Sequence, residues 1–224
     1  MRKNPMLLGG LFLAGLLGAA PGMTAAAAAQ SLGAPITNIL ANASDNALDA
    51  LAEPGAFYAD EAVRILLPGP LGKASGLLKL TDQAGLTGGL TKSLNDAAGL
   101  AAKEAKPIFR NAINGMTVQD GVGVISKNDG ATRYLRESAG GDLKTKVRPL
   151  IVNALTEVGA FQQLDRLGQG SSLASTAGLS RDSLTDSVTE QALDGIFKYI
   201  GSEEAKLRAN PLDAGKKLLQ GFGR

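Results

Sequence analysis

The 224-residue chain contains no cysteine, no histidine and no tryptophan. Without cysteine there is no disulfide, no thiolate for zinc and no cysteine nucleophile. Without histidine the commonest general acid–base group is missing, and with it the usual catalytic triads and most transition-metal sites. Aromatic residues are scarce, with six Phe and three Tyr. Hydrophobic residues still make up 44% and charged residues 20%, a balance that buries a core instead of leaving a disordered tail. The residues that remain are thin equipment for an enzyme, and no cofactor or metal is expected.

The N-terminus reads as a secretory signal. Arg2 and Lys3 form a positive start, Leu7 to Leu17 an apolar stretch, and Pro21-Gly22 a break before the Ala25–Ala29 tract with its A-x-A cleavage patterns. Cleavage is expected just before Gln30, so residues 1–29 form the cleavable signal. The uninterrupted apolar run falls short of the ~20 residues a membrane span needs, so no stable span is expected after cleavage. In a two-membrane bacterium this address is the periplasm.

Removing the signal changes the charge argument. Taking Arg2 and Lys3 from the 23 basic residues leaves 21, against 21 acidic ones. A neutral mature chain without a basic block has no electrostatic case for nucleic acid.

Length and pattern then suggest one helical domain over 44–224, preceded by a small, polar and flexible stretch at 30–43. A short helix is expected from Ser44 or Asp45 to Leu51, ended by Glu53-Pro54-Gly55. The apolar run from Glu61 to Pro70 is bracketed by prolines and reads as an extended segment across the core. Residues 71–95 read as two short helices split near Gly85 or Gly88. From Asp96 a helix carries Ala97, Ala101, Ala105, Ile108, Ala112 and Ile113 on one stripe, with a kink or a new start at Pro107. Thr117 and Asp120 form a T-x-x-D capping box opening a helix to about Ser126.

Further helices are expected over Ala131–Ser138, ending at Gly140-Gly141, and over Asp142–Val158, with Gly159 as its C-terminal cap. One or two turns follow at Phe161–Leu167, then a Ser/Gly loop from Gly168 to Gly178. Ser180 caps the longest helix, whose apolar face is Leu184, Val188, Ala192, Leu193, Ile196, Phe197 and Ile200, stopping at Asn210-Pro211. A short amphipathic piece closes the chain at 212–223. The expected fold is all-α, a compact bundle of roughly six to nine helices with little or no sheet. With 29 glycines, short helices with many caps are expected.

The motifs of nucleotide and hydrolytic chemistry are weak or missing. Gly121-Val122-Gly123 lacks the third glycine of a dinucleotide loop and no strand precedes it. Asn128-Asp129-Gly130 is a turn without the spacing of a calcium loop. Glu203 and Glu204 are adjacent and so point to different sides of a helix, which prevents them from forming a dyad with each other. The residues that stand out are charges within apolar runs: Arg64, Asp194, and Arg133 and Arg136 around Tyr134. Such a charge faces water or is buried with a partner. Facing water is expected for Asp194. The sharper expectation is an ion pair between Asp194 or Glu190 and Arg64 or Arg133, forming with Tyr134 a structural or ligand-binding polar cluster.

A set of blocks then carries a resemblance. In order they are Ala62–Pro68, Lys106–Ile113 with Met116-Thr117, Gly130–Leu135, Val147–Ile151, Gln191–Phe197, Glu203-Glu204, Arg208–Pro211, and Leu218-Leu219 with Gly221–Gly223. Together they resemble the bacterial family called domain of unknown function 4197 (DUF4197), from about residue 40 to the C-terminus. The resemblance implies an exported, all-helical bacterial protein of one domain and no assigned activity. The leading functional expectation is a non-enzymatic periplasmic module that binds an envelope protein or other envelope component. The alternative is a carrier of a lipid or other apolar ligand in a bundle cavity, and a carboxylate-dependent hydrolase comes third.

Overall fold

The computed structural model of the chain describes residues 25–68, 89–117, 127–170 and 180–210, with side chains left aside for 25–35 and 167–170. Six helices occur among these residues, with no strand: α1 (Ala25–Ala52), α2 (Ala56–Ala59), α3 (Leu90–Asn114), α4 (Gly130–Glu157), α5 (Ala160–Gly170) and α6 (Arg181–Ala209). The chain is an all-α bundle. Its four long helices form a ring, α1 against α3, α3 against α4, α4 against α6 and α6 back against α1, while α5 packs on α3 and α4.

The inward stripes explain this ring. On α1, Ile36, Leu40, Ala43, Ala47, Leu48 and Leu51 recur at three- and four-residue spacing and are buried. On α3 the stripe is Leu94, Ala97, Ala98, Ala101, Ala102 and Ala105, followed by Phe109 and Ile113. Gly99 on α3 marks a close approach of α1, since a Cβ there would meet the Leu51 carbonyl oxygen at 3.4 Å. Leu135, Leu143, Val147, Ile151 and Leu155 line α4, and all seven apolar residues expected on the buried face of α6 are buried. The Phe109 and Phe197 rings meet edge to face inside the ring, with centroids 5.9 Å apart.

Several boundaries differ from the sequence expectation. The stretch at 30–43 is helical, and α1 extends back through it because Ile36, Leu40 and Ala43 continue the buried stripe that begins deeper in the helix. The helix expected from Asp96 begins at Leu90 and runs through Pro107 as one element. The two helices expected on either side of Gly140-Gly141 are one helix of 28 residues. Leu135 and Leu143 keep the same face toward the core across the glycines, and packing outweighs their poor helix propensity. The expectation of short helices therefore fails. The long ones have 28, 25, 28 and 29 residues. Helix α5 reaches Gly170, three residues beyond its expected end, so the Ser/Gly loop does not begin at Gly168.

Two caps follow the sequence. Gly159 takes φ +74°, and Ser180 accepts from the Ser183 amide while the Ser183 hydroxyl accepts from that of Ser180. Of the two short helices expected over 71–95, residues 90–95 belong to α3 and 71–88 lie outside the described residues, as do the remainder of the Ser/Gly loop at 171–178 and the closing piece at 212–223.

The extended run expected from Glu61 to Pro70 is met only in part: the chain turns over Glu61–Val63, with the Arg64 amide donating to the Asp60 carbonyl at 2.9 Å, and only the strap from Arg64 to Leu67 runs free of turn and helix, pairing with no strand among the described residues. Val63, Ile65 and Leu67 alternate into the core. The Asn95 side chain of α3 accepts the Ile65 amide at 2.8 Å and donates back to the Ile65 carbonyl at 2.9 Å. On α6, Gln191 does the same for Leu66, accepting its amide and donating to its carbonyl, both at 2.9 Å. Successive residues of an extended chain present their backbone groups to opposite sides, so two carboxamides stand in for two neighbouring strands. Further along α6, Gly195 lets the strap lie close: a Cβ there would sit 3.1 Å from Val63 Cβ and from Phe57 Cε1.

Two outcomes are expected in urea denaturation. Gly195→Ala lowers stability by about 1–3 kcal/mol through overpacking, whereas Gly141→Ala, with open space at its Cβ, raises it by about 1 kcal/mol. A Gly195→Ala protein as stable as the native one would refute the close approach. Asn95→Ala strands the buried Ile65 amide and carbonyl, at about 1–3 kcal/mol for each group. Asn95→Asp, which keeps an acceptor but loses both donors, is expected not to restore native stability.

Candidate functional site

The polar cluster expected from sequence is dispersed over the surface. Arg64 lies on the outer side of the strap because Val63 and Ile65 face inward. Its Nε donates to the Tyr58 carbonyl at 2.6 Å and its guanidinium stacks 5.2 Å from the Tyr58 ring centre. Arg133 pairs with Asp129 one turn back, at 2.9 Å. Tyr134 donates its hydroxyl to the Thr117 carbonyl at 2.6 Å. Glu190 pairs with Lys144, and Asp194 with Arg136. Among the described residues no ion pair joins Asp194 or Glu190 to Arg64 or Arg133, so the expected pairing gives way to different partners. Asp194 is largely exposed. Thr117 is exposed and non-helical, while Asp120 and the Gly121–Ser126 segment lie outside the described residues.

The partners follow from helix periodicity. Asp182, Asp186, Glu190 and Asp194 stand four residues apart on α6 and so share one face. Across the seam, antiparallel α4 presents Arg148 to Asp182 and Asp186, Lys144 to Glu190 and Arg136 to Asp194. Hydrogen bonding by Glu190 holds the Lys144 ammonium above its ordinary range, and Asp186 does the same for the Arg148 guanidinium. These pairs are solvent-exposed and screened by water, so they set register more than stability.

The deeper contact on this seam involves Glu204, which sequence reading treated only as half of an adjacent acidic pair. Its side chain is fully buried. One oxygen accepts the Ala131 amide at 3.0 Å and Arg208 Nε at 2.8 Å. The other accepts the Thr132 amide at 2.8 Å and the Thr132 hydroxyl at 2.6 Å. The carboxylate of one helix thus satisfies the free amides at the start of another, where the helix dipole also favours negative charge. A signal was present: Glu204 extends the four-residue series Leu184, Val188, Ala192, Ile196, Ile200, and Arg208 stands one turn on.

Above this contact lies a groove of about 610 Å³ between the start of α4 and the second half of α6. Phe197, Gly201 and Ala205 contribute its apolar lining, and Arg133, Arg136, Glu137 and Lys198 its charged part. The Arg136 guanidinium lies 5.4 Å from the Phe197 ring centre. Arg133 and Asp194, two of the five expected cluster residues, meet here; Tyr134 borders a second cleft of about 380 Å³ with Ser138, Asp142 and Lys146. Among the described residues no three acidic side chains are grouped to hold a metal ion, and no helix is long and apolar enough to cross a membrane.

A further pinned point joins α6 to the start of the strap. Asp60 accepts the Ala62 amide at 2.8 Å and the Tyr199 hydroxyl at 2.7 Å. These bonds hold the Asp60 carboxyl below its ordinary 3.8, chiefly through the Ala62 amide. Asp60 in turn raises the Tyr199 phenol above its ordinary 10.0.

Glu204→Ala is expected to cost about 1–3 kcal/mol for each of the two buried amides it strands; a change under about 1 kcal/mol in denaturant unfolding would refute the cap. The Asp60 contribution is present above 3.8 and is lost as pH falls through its lower folded value. The stability difference between native protein and Tyr199→Phe should therefore shrink as pH is taken from about 6 to about 2. A difference constant across that range would show that the Asp60–Tyr199 bond contributes nothing to acid sensitivity.

No curated protein and no solved structure matches the chain. A family model described as "Protein of unknown function (DUF4197)" matches residues 26–223, nearly the whole length. The chain belongs to the DUF4197 family.

Proposed function

We propose that this protein is an exported, non-enzymatic helical module of the periplasm that binds a partner protein or another component of the cell envelope, and that the α4–α6 groove is the surface it uses. The observation that carries the reading is the groove itself. It combines an apolar lining with a charged one, and the Glu204 cap fixes the start of α4 that forms one of its walls. A preformed concavity of this kind suits a segment of a polypeptide, whose apolar side chains fill it while its polar groups meet the charges. Of the three groove carboxylates, Asp129 and Asp194 are each committed to an arginine, which leaves Glu137 without a second free carboxylate beside it and favours binding over paired-carboxylate chemistry. The charged lining likewise favours a polar or peptide partner over an apolar cargo.

Export rests on the N-terminal pattern. Cleavage before Gln30 would take Ala25–Ala29 from α1 and leave its buried side chains from Ile36 to Leu51 in place.

The test is native mass spectrometry of the mature protein purified gently from its own periplasm, compared with Ala205→Trp, which fills the groove, and Lys103→Ala, an exposed change on α3. The expected result is a stoichiometric polypeptide on the native and Lys103→Ala proteins. Occupancy should fall at least about tenfold, or about 1.4 kcal/mol, on Ala205→Trp with circular dichroism unchanged. A native protein that stays a bare monomer, or an Ala205→Trp protein that keeps its partner, would overturn the groove as the binding surface. A small apolar mass in place of a polypeptide would favour the carrier reading.

A further inference from the structure

We draw no further inference here: the strongest candidate, the channel between α3 and α6 in which Asn95 and Gln191 hold residues 63–67 by their backbone, is filled by the chain's own strap, and nothing in the structure shows what would replace it.

Discussion

An extended chain buried between helices carries backbone amides and carbonyls that the helices cannot satisfy with their own backbones, since those are committed internally. In this bundle the problem falls on Ile65 and Leu66, and it is solved by one carboxamide from α3 and one from α6. Much else depends on that solution. The strap can place Val63, Ile65 and Leu67 in the core only while its backbone is paired. Asn95 and Gln191 can reach it only if α3 and α6 stay at a set separation. Gly195 suits this passage, because a Cβ there would lie 3.1 Å from Val63 Cβ and Phe57 Cε1 and crowd them. Lys198 and Tyr199, further along α6, bond to Ala62 and Asp60 before the strap begins. The strap thus runs antiparallel to α6 and ties the α1–α2 end of the chain to it.

The other seam of α6 works by charge. At its far end Glu204 closes the start of α4, and toward its beginning a row of carboxylates meets the cations of α4. The two kinds of contact have different weights. Glu204 is fully buried and bonds to backbone amides, so its loss leaves desolvated groups unpaired. The exposed pairs are screened by water and salt and mainly fix which turn of one helix faces which turn of the other. The groove draws on both, since its lining includes Thr132, which Glu204 caps, and the exposed Arg136 and Asp194.

Much of the bundle was legible in the sequence because helical burial is periodic. The inward face of α6, the Ser180 cap and the extended nature of the strap follow from local pattern and proline placement. Helix lengths did not follow, since Gly140, Gly141 and Pro107 are read locally as breaks while the tertiary stripe passes through them. The site was legible only in part. Arg133 and Asp194 do share the groove, but their ion-pair partners depend on the register of α4 against α6. Asn95, Gln191 and Glu204 were missed because a polar residue on a buried stripe looks like an irregularity until the group it serves is known.

By itself the sequence determined that the chain folds as helices around an aliphatic core, and that histidine and cysteine chemistry is closed to it. These properties are sums over residues and short repeats, which local pattern carries. Tertiary structure alone decided which backbone each buried carboxamide and carboxylate serves: Ile65 for Asn95, Leu66 for Gln191, and the first turn of α4 for Glu204. Those partners stand 30, 125 and 72 positions away. A hydrogen bond is set by an approach of about 3 Å, which sequence separation does not encode.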